Sequence, residues 1–374
     1  MQKNRVGLFA ATAALLAAPA AAQVPLTPRA LGMGNAYVGA ARGAEALWQN
    51  PANLALPGSP RWSFNIPTLS VGADVLGLSV GDVLDLAQYN DQTDARRQEI
   101  LNDVPAGGTE VRADVRLPFA TGQIGPFALG FSFNTLASHT LDRDFVDLLL
   151  FGFQAQPGRY NITPQETQGF RASYWDFAGA YGHRLPIPGP GALTVGATAH
   201  LYVGTALVRM GITDVDTIRN GVGIPQDLQV TYTGVKYRGG TGVGVDLGAA
   251  YQPRPNLTLS ASVGNVLNTF GFGGRRTQNQ VTLTSADYRN GDLADVWDRY
   301  DASLSNYDEA TANANVRTLA SDLDVDTDLP RTLRAGAAFE PRAGTLVSAA
   351  YNGTLGESRV TGLWDRSIGL GVQQ

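Results

Sequence analysis

The sequence predicts an all-β fold, an antiparallel transmembrane β-barrel of about 12–14 strands. Three observations carry that prediction. Along residues 192–203, Leu193, Val195, Ala197, Ala199, Leu201 and Val203 alternate without a break with Thr194, Gly196, Thr198, His200 and Tyr202. That is the period of a strand with one apolar and one polar face. Charged residues make up 16% of the chain and 44 of its 374 residues are glycine, against roughly 25% and ~7% in soluble proteins. Finally, a leader for export opens the chain, yet no later stretch has the eighteen or so consecutive apolar residues of a membrane helix.

The leader is residues 1–22. Lys3 and Arg5 form its charged start, residues 6–18 its apolar middle and Ala20-Ala21-Ala22 its small-residue cleavage site. The mature chain is then expected to start at Gln23 and to reach the cell outer membrane, with outer-membrane lipid as its first partner. There is no cysteine, so no disulfide framework supports the exported fold. The formal charge of −5 lacks the basic balance that nucleic acid requires.

Residues 59–374 read as the barrel. At ~3.3 Å per residue and a tilt near 40°, the 192–203 strand rises roughly 28–30 Å, enough for a bilayer's apolar band. Val111, Ala113, Val115, Leu117 and Phe119 alternate in the same way with Arg112, Asp114 and Arg116; Phe127, Leu129, Phe131 and Phe133 with Ala128, Gly130, Ser132 and Asn134. Trp175, Phe177 and Tyr181 oppose Tyr174, Asp176 and Arg184, and matching patterns surround Asp246, Ser260 and Arg334. Further strands are expected near 61–71, 227–238, 277–284 and 345–352. A soluble β-sandwich alternates too, but its strands are nearer five or six residues. Aromatics such as Trp62, Tyr181, Tyr202 and Tyr251 are candidates for interfacial girdles. An arginine costs ~2–4 kcal/mol on the lipid side at midplane. Arg112, Asp114, Arg116, Asp176, His200, Asp246 and Arg334 are therefore assigned to the lumen, with Arg184 and Glu340, and structural ion pairs filling a narrow barrel outrank a substrate pathway. By the same logic Val195→Arg and Ala197→Arg are expected to damage folding more than Thr194→Arg and Thr198→Arg. Long loops are expected near 82–108, 138–170 and 286–328, with a short helix at 94–102 and an apolar lip or helix at 145–153.

Between leader and barrel lies residues 29–54, RALGMGNAYVGAARGAEALWQNPANL. Small residues recur through it, and Asn50-Pro51 marks a turn, because proline disfavours helix at the residue before it. LGMGNAYV followed about ten residues later by NPANL resembles the start of the FadL/PorV-like outer-membrane barrels. The likeness covers residues 31–54 and continues weakly through 242–251 and 328–340. It implies that residues 23–58 are a small plug in the barrel lumen, with Leu31, Met33, Gly34, Tyr37, Val38, Leu47, Trp48, Asn50 and Pro51 as its candidate ligand and plug residues. It also implies one of two functions. The first is FadL-like passage of small hydrophobic molecules. The second is a PorV-like, non-transporting barrel that anchors or assists exported or secretion-system proteins. Barrels of this group end on an aromatic residue and carry further strands, whereas this chain closes Gly371-Val372-Gln373-Gln374, so a chain truncated at its C-terminus is expected.

Nothing in the sequence points to an enzyme, a metal or a cofactor. Gly32-Met33-Gly34 lacks the preceding strand, third glycine and later acid of a dinucleotide loop. His139, His183 and His200 have no partner at metal-ligand spacing. Ser138 and His139 are adjacent on a strand and point to opposite faces, which disqualifies them as nucleophile and base. Asp322, Asp324, Asp326 and Asp328 would offer calcium an oxygen row in an extended segment, but Thr327 stands where the calcium loop needs its glycine.

Overall fold

A computed structural model describes residues 27–75, 77–87, 92–154, 160–164, 166–284, 286–287, 293–325, 329–355 and 366–373. The leader and Gln23 lie outside them. Among the described residues fifteen strands form one antiparallel sheet. β1 (Trp62–Asn65) and β2 (Ser70–Val75) lie end to end against β3 (Thr109–Ile124) in one register, Trp62 facing Ile124 and Ser70 facing Arg116. β4 (Phe127–Leu141), β5 (Gln168–Leu185) and the 28-residue β6 (Ala192–Arg219) follow as hairpin neighbours. β7 (Pro225–Tyr237) and β8 (Gly240–Arg254) likewise continue one another along β6, Leu207 facing Tyr237 and Val203 facing Thr241. β9 (Leu257–Asn268), β10 (Gly271–Phe272) and β11 (Arg276–Leu283) return along β8 and β7, and β12 (Ser305–Asn306) bridges to β11. β13 (Arg331–Arg342), β14 (Thr345–Leu355) and β15 (Arg366–Gln373) complete the wall.

The segments therefore stack into a wall of ten lanes, in the order β1-β3-β4-β5-β6-β8-β9-β13-β14-β15. Among the described residues no pairing joins β15 to β1 or β2, so the sheet is unclosed. Its polarity is that of a membrane barrel. Ile368, Leu370 and Val372 stand 80%, 76% and 67% exposed on the outside of β15, while Ser132, Thr198, Ser260 and Ser262 are buried inside. In lipid every backbone N–H and C=O needs a partner within the protein, and among the described residues the lanes between the two edges supply it by pairing along their length. Trp62 and Phe64 stack on the outer face near the short turns, with Phe127 over Tyr181 beside them, while Tyr174 and Tyr202 turn inward. No described helix is long and apolar enough to cross a membrane.

The faces assigned from alternation hold along β6: Val195 and Leu201 are exposed outside, and Thr194, Thr198, His200 and Tyr202 are buried inside. One expectation needs correcting. Thr194 and Thr198 are 0% exposed, so arginine at either overpacks an enclosed site and is not the mild change a water-filled lumen would allow.

The long loops are folded, and they thicken one end of the barrel. Helix Asp94–Asp103 starts where Thr93 accepts a hydrogen bond from the Arg96 amide at 3.3 Å. Helix Arg143–Phe151 is capped by Asp142, whose carboxylate accepts from the Asp144 and Phe145 amides. Its apolar face is buried: Val146 and Leu150 meet Ile100, Leu101 and Val104, and Phe145 and Leu148 join Ile212, Val230 and Tyr232. The acidic insertion carries helices Leu293–Ala302 and Ala314–Val325, and the second packs Val316, Leu319 and Ala320 on Leu136, Leu207 and Tyr237. Asp322 and Asp324 fall on that helix and not on an extended row, which removes the calcium geometry; residues 326 and 328 lie outside the described residues.

Candidate functional site

The segment Pro28–Ala55 lies inside the wall as a chain of short turns: helix Pro28–Gly32, a 3-10 turn Gly43–Glu45, helix Ala46–Gln49 and a 3-10 turn Pro51–Ala55. Such a short-stepped path suits its small side chains, and Gly34 and Asn35 both adopt the left-handed conformation that lets it reverse. Met33, Tyr37, Val38, Leu47, Asn50 and Pro51 are buried, and Trp48 nearly so. Leu31 differs from the expectation. It is 54% exposed because the buried side of its helix turn is taken by Ala30, with Met33 beyond.

This plug touches every lane. Met33 and Gly34 lie against Gly371 and Gly369 of β15, and Ser348 of β14 donates to the Ala36 carbonyl. Gly39 abuts Ala338 of β13, and Ser260 of β9 donates to Asn53 Oδ1 at 2.8 Å. Asn50 reaches the Ala249 and Ala261 carbonyls at 3.0 Å each, on β8 and β9. Pro51 lies under Gly196 of β6 and Gly182 of β5, Leu47 under Gly130 of β4. The Trp48 indole donates to Thr121 Oγ1 of β3 at 2.9 Å, and the Ala44 amide to Ser63 Oγ of β1 at 2.7 Å. Inward glycines bring wall and plug backbones together. At Gly196 an added Cβ would sit 2.5 Å from the Ala52 nitrogen.

Asn50 is 0% exposed and makes the turn at the plug's end. It is extended (φ −158°), it accepts from the Ala52 amide at 2.9 Å, and its amide nitrogen serves Ser260 Oγ at 2.8 Å as well as the two wall carbonyls. Sequence reading missed Asn53, Arg42 and Gln49. Asn53 donates to the Val38 and Ala41 carbonyls, Arg42 to Thr258 Oγ1, and Gln49 lends its carbonyl to Ser262. The second Asn of Asn50-Pro51-Ala52-Asn53 was the available signal.

All seven lumen candidates lie on the inward face. Arg112 pairs with Glu110 at 2.7 Å near the loop end of β3. The other six form a belt beside the plug. Asp114, fully buried, holds Arg116 at 3.0 Å. His200 Nδ1 meets Asp176 at 2.9 Å, and its Nε2 is 3.4 Å from Asp246. Asp246 also accepts from the Asn265 amide at 2.8 Å, and Arg334 donates to the Trp48 carbonyl. A cavity of ≈110 Å³ lies between belt, plug and the Leu329-Pro330 segment. Arg184 and Glu340, by contrast, are exposed at strand ends. Ser138 donates to Glu110 while His139 meets Tyr232, so the neighbours serve opposite faces. Among the described residues no metal-ligand cluster forms.

Inside-out polarity, lanes of paired strands and an internal plug define an antiparallel transmembrane β-barrel. The fold is similar to the toluene transporter TbuX of Ralstonia pickettii, with a TM-score of 0.40 and 15% identity over 95% of this chain and 79% of that one. It is similar also to a deltaS2 mutant of the monoaromatic hydrocarbon channel TodX (TM-score 0.38, 12% identity, 88% and 70% covered). Outer membrane phospholipase A from Escherichia coli matches with a TM-score of 0.21 and 9% identity, over 89% of this chain and 98% of that one. In sequence, residues 211–364 match a family of unknown function, DUF5723. No curated protein matches.

Proposed function

We propose that the protein is an outer-membrane barrel that passes small, mainly hydrophobic molecules, as the FadL resemblance implies, with residues 28–55 as the closure. The observation that supports this reading is how the plug is held. It meets the wall through side-chain hydrogen bonds and glycine contacts and contributes no strand to the sheet, so it can shift without unpairing a single lane. Leu47 and Trp48 border the cavity above it, together with Leu136 and Leu329, and give a small molecule apolar groups to contact.

A second reading, a PorV-like barrel that anchors or assists exported proteins, is favoured by one observation. The cavity of ≈110 Å³ is well below the roughly 300–1,000 Å³ of ordinary ligand sites, and charged groups line it. Liposomes carrying the full-length protein separate the two. Transport predicts uptake of a fluorescent fatty acid by the intact protein, and faster swelling in small polar solutes once residues 23–54 are deleted. If neither the intact nor the plug-deleted protein passes any solute, the anchoring reading replaces transport.

A further inference from the structure

Trp48 is clasped from two sides that lie far apart along the wall. Its indole N–H is held by Thr121 on β3, and its carbonyl by the Arg334 guanidinium on β13. Arg334 shares the walls of the small cavity with Asp246, which is fixed in turn by the Asn265 amide and by His200, itself bonded to Asp176. Asn265 continues the chain outward: it accepts from Tyr202 at 2.8 Å and donates to the Pro330 carbonyl at 3.0 Å. Charges that merely filled the lumen would pair wall to wall, as Asp114 and Arg116 do. Arg334 reaches across to the plug's own backbone as well, donating to the Trp48 carbonyl.

We propose that the belt is a lock on the plug, with Arg334 as the positioning residue that bolts Trp48 to the wall. The proposal rests on the plugged reading of residues 28–55 and adds the group that keeps it shut. Asp246 and His200 form the fixed half of the lock, because each has a second partner on a wall strand. Arg334 is the half that reaches the plug, through the Trp48 carbonyl. Withdrawing it leaves the Thr121 hydroxyl as a wall partner of the Trp48 polar groups and widens the cavity on the side of the plug. A buried charge-assisted hydrogen bond is among the stronger single contacts in a fold, so its loss should loosen the plug measurably although Asn50, Asn53 and Arg42 hold it elsewhere.

The chain has no cysteine, so a single reporter can be placed at Ala46, which is 0% exposed in the plug. In liposomes, the rate at which a maleimide labels Ala46→Cys reads how often the plug opens, and the gel mobility of unheated protein reads whether the barrel is folded. Arg334→Met is expected to raise the labelling rate on the order of ten- to a hundredfold with the barrel folded. Arg334→Lys keeps a charged donor group without the fork and should restore most of the protection; Asp246→Asn should fall between. Unchanged labelling in folded Arg334→Met overturns the lock. So does loss of the folded barrel in all three variants, which would make the belt part of the wall. Labelling is independent of solute: accelerated labelling without any uptake leaves the lock standing and removes transport, and uptake without accelerated labelling removes the lock alone.

Discussion

Gly196→Val is expected to force the plug off the wall. The Cβ it introduces falls 2.5 Å from the Ala52 nitrogen and the Pro51 carbonyl carbon, both backbone atoms of a turn fixed by Asn50. No rotamer relieves a contact made by Cβ itself, so strand or plug must move. Overpacking typically costs ~1–3 kcal/mol, and a backbone-to-backbone clash belongs at the upper end. The strand is held by pairing on both sides, to β5 and β8, whereas the plug is not paired at all. The plug therefore yields: urea midpoints should fall and conductance in planar bilayers should rise. Gly122→Ala, on the same wall with nothing within 4 Å of its added carbon, is the control and should change neither. Equal effects from the two would show that the inward glycines are not there for the plug.

The second large effect is expected from Ala197→Arg. Ala197 lies on the outward row of β6 near the middle of its membrane-crossing half, between Val195 and Leu201. A guanidinium there enters hydrocarbon, at ~2–4 kcal/mol near the midplane. Folded yield in liposomes should drop steeply, while Ala197→Leu should fold as the parent does. Thr198→Val is the informative inward partner. Among the described residues its buried hydroxyl has no hydrogen-bond partner, so removing it while keeping the shape should cost little. If Ala197→Arg folds as well as Ala197→Leu, the outward row does not face lipid.

The wall was legible in the sequence because a membrane strand must present one row to lipid and the other to the interior, and that constraint repeats every second residue. It is why Leu193–Val203 and Phe127–Asn134 could be assigned face by face. The helices at 94–103 and 143–151 were expected, but those of the acidic insertion were less legible. Ala314–Val325 is surrounded by acids, and only Val316, Leu319 and Ala320, spaced for a helix, betray the face that meets Leu136 and Tyr237. The plug was recognisable by resemblance, but its fit was not. Gly130, Gly182, Gly196, Gly248 and Gly369 read as ordinary members of a polar row, and nothing local says that another backbone passes over them. The belt was legible residue by residue but not as an assembly. Asp176 and His200 are 24 positions apart and Trp48 and Arg334 are 286 apart, and only the register of the lanes brings them together.

The plug's contacts also set an order in time. Its Arg29 is bonded to Gln373, 344 residues later, and Ala36 to Ser348, 312 later. These contacts of the plug are thus satisfied only by strands that follow it by 312 to 344 residues along the chain. Contacts of such sequence separation come slowly, because the loop entropy is lost before they form. Until then the segment's backbone has water as its partner, and the nascent wall must gather around a strand-free thread that it does not yet grip. Assembly of this barrel is a wrapping process, in which β14 and β15 must come round to the turns that begin the plug.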